Sequence, residues 1–231
     1  MAKYGYLITG TDTGVGKTFV TLAIMELLEE RGSAVAGMKP VASGCDETKY
    51  GLRNSDAIKI QQCANVDLPY EWVNPYAFKQ PIAPWSAAIE SNRSISIKNI
   101  RKAFEEVSAR TDITLVEAVG GWRVFLTNGL QVCDLARELE LSVILVVGLR
   151  LGCINHALLS AEAIEKDGVK LAGWVANHVD PEYQDIVNTV SFIRGKIKAP
   201  LLGEIPYLAD ENIARAASSL KASSLFLTTA Y

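Results

Sequence analysis

Three residue types that handle phosphate stand together near the start of the chain, in Gly10-Thr11-Asp12-Thr13-Gly14-Val15-Gly16-Lys17-Thr18. Glycines let backbone N–H groups crowd around a polyphosphate, and a helix N-terminus behind them adds a positive dipole end. Lys17 supplies a cation for the terminal phosphates, and Thr18 supplies a hydroxyl for Mg²⁺. An apolar run, Tyr4 to Thr9, precedes the stretch, and helical spacing from Phe19 to Glu30 follows it. Strand, glycine turn, Lys-Thr and helix is the order of a P-loop. Counting back from Gly16 puts Thr11 where the usual spacing has its first glycine, so the loop is longer by one residue.

Three further residues could join that chemistry. Glu117 follows the apolar run Ile113 to Val116, where a P-loop protein places a carboxylate for its metal ion. A surface carboxylate at a strand end is the plainer alternative. Lys39 follows a short apolar run and precedes Pro40. Beside the phosphates it could stabilise charge on a transferred phosphoryl, although most lysines are simply solvated. Asp56 stands at a helix start, where complementing the helix dipole explains it as well as metal binding does. Ser43-Gly44 could bond the same ligand or only form a turn.

The elements that must position these groups follow in order. Strands are expected at Tyr4–Thr9, Ala34–Met38, Ile113–Val116, Ser142–Val147, Leu171–Ala176 and Leu201–Ile205. Helices are expected at Phe19–Glu30, Asp56–Cys63 with Ser55 as cap, Ile97–Ala109, Val132–Leu139, from Gly152 to about Lys166, Tyr183–Arg194 and Asn212–Leu220. Residues 45–54 read as irregular, Gly120-Gly121 as loop, and 64–95 as a long connection with four prolines. Long connections in compact domains are usually functional. Apolar strands alternating with helices predict an α/β fold: one doubly wound, mainly parallel sheet in a single P-loop domain over 1–231. Ligands of such sheets collect at the carboxyl ends of the strands. Lys39, Ser43, Glu117, the Leu151–Asn155 loop, Asn177 and Pro206 all lie at such ends.

Composition narrows the rest. The chain of 231 residues is 49% hydrophobic and 21% charged, enough for a full core. A net charge of −3 gives no reason to expect a nucleic-acid or membrane surface. The start carries no secretory pattern and no apolar run reaches membrane-spanning length, which points to the cytoplasm. The cysteines at 45, 63, 133 and 153 form no C-x-x-C pair and read as reduced thiols. His156, His178 and the aromatics of 72–85 read as packing or surface residues; Arg123 and Arg150 could meet an anion, but surface positions explain them as well.

The set of motifs resembles the dethiobiotin synthetase family. The resemblance is carried by Gly10–Thr18, Lys39-Pro-Val-Ala-Ser-Gly44, Gly51-Leu-Arg-Asn-Ser-Asp56, Val73-Asn-Pro-Tyr76, Glu117 with Gly120-Gly-Trp122, Leu151-Gly-Cys-Ile-Asn-His156, Ala172-Gly-Trp-Val-Ala-Asn177 and Pro200-Leu-Leu-Gly-Glu-Ile-Pro206. It implies a P-loop NTPase fold and an ATP-dependent ligase of biotin synthesis, acting as a homodimer with substrate near the interface. Its substrates are 7,8-diaminononanoate, CO₂ or bicarbonate, and ATP, and its cofactor is Mg²⁺. The resemblance implies a nucleotide site of Gly14, Val15, Gly16, Lys17, Thr18, Phe19, Asp56, Glu117, Ala118, Val119, Gly120, Asn177, His178, Pro206, Tyr207, Leu208 and Glu211. Thr18, Asp56 and Glu117 would hold the metal. Lys39 and Lys17 would be catalytic. Thr13, Lys39 and Ser43 would contact the diamine or carbamate, and Gly152, Cys153, Ile154 and Asn155 would receive the substrate carboxylate from the neighbouring subunit.

The chain departs from the family at Ala118-Val119, where the family has Gly-Ala, and at Phe125, where proline is common. A Cβ at 118 narrows the approach of backbone to ligand. A switch ATPase of the partitioning type is the rival from another class. Such proteins carry an extra lysine early in the loop, and residues 10–16 contain none.

Overall fold

In the computed structural model, which describes residues 4–221, strands and helices alternate. β1 (Tyr4–Gly10) leads through the glycine turn into α1 (Lys17–Glu29), and β2 (Val35–Met38) into a short β3 (Val41–Ala42). The hairpin of β4 (Asp46–Thr48) and β5 (Gly51–Arg53) precedes α2 (Ser55–Cys63). α3 (Tyr70–Val73), β6 (Tyr76–Ala77) and α4 (Pro84–Glu90) break up the run to α5 (Ile97–Ser108). β7 (Ile113–Gly121) is followed by the ribbon of β8 (Phe125–Thr127) and β9 (Leu130–Gln131), then α6 (Val132–Glu138). β10 (Ser142–Leu149), α7 (Cys153–Lys166), β11 (Leu171–His178), α8 (Ile186–Lys196), β12 (Leu201–Ile205) and α9 (Ile213–Ser218) complete the described chain.

Six of these strands form one parallel sheet in the order β12-β11-β10-β1-β7-β2. Parallel strands covered on both faces must be apolar almost throughout. Val143 to Leu149 of β10 and Ala172 to Asn177 of β11 are accordingly all buried. From β1 the chain crosses to the edge strand β2 and returns to β7 between them, then builds to the other edge through β10, β11 and β12. The crossovers diverge beside β1, and that is where an open α/β sheet leaves its crevice.

The six strands and the helices around them follow the expected order, with differences that have local causes. The cap of α2 is Asn54, not Ser55: its side chain accepts from the Ala57 N–H at 3.1 Å. Gly120 and Gly121 belong to β7 rather than to a loop. Gly121 pairs with Gly10 across a register shift, and a Cβ there would lie 3.3 Å from the Gly10 carbonyl oxygen. Residues 45–54 are not irregular but carry the β4–β5 hairpin. The connection over 64–95 holds two helices and a strand too short to show a period. Helix α8 starts at Ile186, because the Asp180 carbonyl accepts from the Tyr183 N–H in a turn. Residues 222–231, the tail, lie outside the described residues. Among the described residues no helix is long and apolar enough to cross a membrane, and all four cysteines are free.

Candidate active site

The glycine turn folds around its own lysine. Gly14 (φ 72°) and Gly16 (φ 80°) take left-handed backbone that costs an L side chain but not glycine. A Cβ on Gly16 would also lie 2.2 Å from the Asn177 amide nitrogen. That amide donates to the Val15 carbonyl at 3.0 Å, tying β11 to the loop from below. Lys17 opens α1 and donates to the Asp12 carbonyl at 2.9 Å. The Asp12 carboxylate accepts from the Thr13 N–H and from Arg150, each at 2.7 Å. Lys17 is buried, and burial, reinforced by the nearby Lys39 charge, lowers its pKa to about 8 despite Glu117, Asp12 and Asp56.

Beside this loop the strand ends bring three charges together. The β2–β7 register pairs Met38 with Val116, so Lys39 leaves the sheet next to Glu117. The Lys39 ammonium donates to Asp56 Oδ2 at 2.5 Å and to Glu117 Oε1 at 2.7 Å. Thr18 Oγ1 donates to the same Glu117 oxygen at 2.8 Å. Burial opposes the Lys39 charge, but Glu117 and Asp56 outweigh it and hold the pKa above the ordinary lysine value. Burial likewise opposes the Asp56 charge, and Lys39 with the Thr18 hydroxyl reverses that and holds the pKa below the usual carboxylate value. Neither Lys39 nor Glu117 is the surface residue that its type predicts; both are buried. Loop and cluster share a cavity of about 1120 Å³, large enough for a nucleotide with a second small molecule. A P-loop lysine, a buried lysine between a buried and a half-buried carboxylate, and room beside them are the groups that phosphoryl transfer uses.

A family model described as an AAA domain matches residues 4–213. A curated relative from Pseudomonas paraeruginosa, ATP-dependent dethiobiotin synthetase BioD, is 48% identical over 93% of this chain and 95% of its own. The protein of that name from Xanthomonas oryzae pv. oryzae (strain PXO99A) is 43% identical over 96% of this chain and 99% of its own. The chain belongs to the ATP-dependent dethiobiotin synthetase family. Two solved structures share the fold at low identity. The MinC:MinD cell division protein complex of Aquifex aeolicus aligns with a TM-score of 0.60 at 19% identity, over 99% of this chain and 96% of that one. The signal recognition particle 54 kDa protein of Aeropyrum pernix K1 in complex with GDP aligns with a TM-score of 0.55 at 13%, over 99% and 47%. Both are P-loop NTPases, and the sheet described above is of that fold.

Of the residues that the motifs of the family single out, Thr13, Gly14, Gly16, Lys17, Thr18, Phe19, Lys39, Ser43, Asp56, Glu117, Val119, Gly120 and Glu211 line the cavity. Val15 and Ala118 are buried beneath it. Asn177 lies under the P-loop, as its bond to Val15 requires, and His178 meets Glu204 at 3.2 Å. Pro206, Tyr207 and Leu208 follow β12 and are not on the cavity wall. Nor are Gly152, Cys153, Ile154 and Asn155, at the start of α7. Sequence reasoning did not single out Asp12; it left Arg150 open between meeting an anion and lying at the surface, and Arg150 pairs with the Asp12 carboxylate at 2.7 Å. The clue was the place of Arg150, directly before Leu151-Gly152 at a strand end. It also missed Lys59, which reaches across the cavity to Glu211 at 3.8 Å.

The donor set suits a small hard cation. Glu117 Oε2 is buried without a hydrogen-bond partner among the described residues, and Thr18 and Asp56 add further oxygens. No cluster of three His, Cys, Asp or Glu forms among the described residues. Two carboxylates and a hydroxyl leave the remaining positions to phosphate oxygens and water, as Mg²⁺ sites of nucleotide enzymes do.

Proposed function

We propose that this chain makes dethiobiotin from 7,8-diaminononanoate, CO₂ and ATP, with the cavity over the P-loop as its active site. One amine of the diamine adds to CO₂ and loses a proton, giving a carbamate. A carbamate oxygen attacks the γ-phosphorus of ATP, and ADP leaves. The second amine then attacks the carbonyl carbon, phosphate departs, and a proton is released as the ureido ring closes. The observation that carries this reading is the burial of Lys39 between Asp56 and Glu117, on the same cavity wall as the P-loop lysine, in a chain of this family.

Each residue has one task. Gly14 to Lys17 receive the polyphosphate through loop amides and the Lys17 ammonium. Lys39 stabilises the negative charge shared by carbamate and transferring phosphoryl. Ser43 Oγ, buried and without a hydrogen-bond partner among the described residues, offers a hydroxyl to the carbamate, and Thr13, exposed on the longer turn, faces the same ligand. Thr18, Asp56 and Glu117 would hold Mg²⁺, whose charge offsets that of the phosphates. Asn177, His178 and the Pro206–Leu208 segment receive the base, with Glu211 toward the ribose. The carboxylate of the diamine binds at Gly152–Asn155 of a second copy, where the α7 N-terminus favours an anion.

A coupled assay for ADP tests the reading, with diamine and bicarbonate supplied separately. ADP release is expected only when both are present. Equal hydrolysis without the diamine would support a switch ATPase instead.

A further inference from the structure

The Lys39 ammonium and the Asp56 carboxylate meet although they come from different elements, the end of β2 and the first turn of α2. A chain of hydrogen bonds joins those two backbones behind the cavity. The Asn74 amide donates to the Lys39 carbonyl at 2.5 Å. Asn74 Oδ1 accepts from the Tyr70 hydroxyl at 3.0 Å. That hydroxyl accepts in turn from the Asn54 N–H at 2.8 Å. Asn54 is the N-cap of α2, two residues before Asp56. The Lys39 N–H is held as well, donating to the Val73 carbonyl at 2.8 Å. Asn54, Tyr70 and Asn74 are all buried, Asn54 at the cavity wall, and in such surroundings these bonds are stronger than in water.

The donor and acceptor types fix the direction of each bond. The Tyr70 hydroxyl has one proton, which goes to Asn74, and its lone pair takes Asn54. The Asn74 carboxamide must point its NH₂ at Lys39, because the Lys39 carbonyl oxygen can only accept. Arg53 stacks over the Tyr70 ring at 4.1 Å from its centroid, fixing the ring that carries the hydroxyl. The four-residue helix α3 is too short to form on its own merits. It carries both partners at a spacing of one turn, Tyr70 and Asn74.

We propose that Tyr70 and Asn74 are positioning residues for the reaction: they set the distance between the Lys39 main chain and the α2 cap, and so hold the ammonium against Asp56. The proposal rests on the function proposed above. Neither residue lines the cavity; they act through Lys39 and Asp56.

The test is Tyr70→Phe in the full chain, alone and combined with Lys39→Gln. Alone, the variant is expected to lose about tenfold in kcat while the KM for ATP stays within about twofold. On the Lys39→Gln background the same change is expected to alter kcat by less than about twofold, since the group it positions is gone. An equal loss on both backgrounds, or an unchanged kcat in the single variant, overturns the proposal. A crystal structure of Tyr70→Phe decides independently of turnover. Separation of the Lys39 ammonium from Asp56 supports the proposal, and retention of both carboxylate contacts overturns it. If the unaltered protein shows no diamine-dependent ADP release, the proposed function fails, and the crystal structure still judges Tyr70.

Discussion

A lysine at the end of a buried strand has two carboxylate neighbours and a cavity that decide what it can do. Lys39 touches Asp56 and Glu117 and faces the cavity, so its charge is kept and is directed at whatever reacts there. Lys39→Gln is expected to lower kcat by roughly 10²–10³-fold, the usual loss for one preorganised charge-stabilising group, with nucleotide affinity changed only a few-fold. Steady-state kinetics beside nucleotide titration separates the two; a fall in affinity alone would make Lys39 a nucleotide ligand. Lys17 has the opposite bias, with a folded pKa of about 8 against 10.5 for the ordinary side chain. Between those values the unfolded chain binds more protons, so ligand-free stability rises with pH across that window. Below it the buried charge carries its full penalty, on the order of 3 kcal/mol. Phosphates beside Lys17 restore its charge, so nucleotide binding at pH 8 is expected to take up about half a proton. Calorimetry in two buffers of different ionisation enthalpy measures that uptake, and equal heats would refute it. Lys39 and Lys17 were legible in the sequence, because each follows an element whose end the sheet rule locates. The Arg150–Asp12 pair was not, because nothing local links residues separated by 138 positions.

Elements place these groups by how closely they pack. Gly37 sits in β2 under both α1 and α2: a Cβ there would lie 2.5 Å from Ile60 Cγ2 and 3.1 Å from Met25 Sδ. Ile60 is one turn beyond Asp56, so pushing α2 outward moves the carboxylate that faces Lys39. Gly37→Ala is expected to destabilise the fold by about 1–3 kcal/mol through overpacking. Ile60→Ala vacates the space that the new methyl needs. The double variant is therefore expected to be more stable than the sum of the two losses predicts, by about 1 kcal/mol or more. Urea unfolding of the four proteins completes the cycle, and strict additivity would show that Gly37 does not set the seat of α2. The long periodic strands and helices were legible because both faces of the sheet are buried. α3, β6 and the β4–β5 hairpin were not, because segments of two to four residues are shorter than the periods that identify them. Glu117 was legible as a residue but not as an interior one, since β7 continues past it to Gly121.

At the scale of the whole molecule, the cavity is incomplete for the substrate that the proposed function gives it. The proposed function assigns Lys17 and Lys39, two of the three cations on its wall, to phosphate and carbamate. The third, Lys59, is paired with Glu211. The diamine also carries a carboxylate, and the α7 N-terminus at Gly152–Cys153, which suits an anion, is not on this wall. Leu151 beside it is 90% exposed, and Val187 of α8 is 80% exposed. Apolar side chains left so open are accounted for if a second copy covers them and brings its α7 over the cavity. Leu151→Glu places a charge where that contact would be desolvated and sets a carboxylate beside the substrate's own. It is expected to shift the protein from dimer to monomer in sedimentation velocity and to raise the KM for the diamine about tenfold or more. ADP affinity is expected to hold, because the P-loop and its Asn177 support lie within one chain. A monomeric wild type with full turnover would remove the second copy from the site and leave Lys59 as the group to meet the carboxylate.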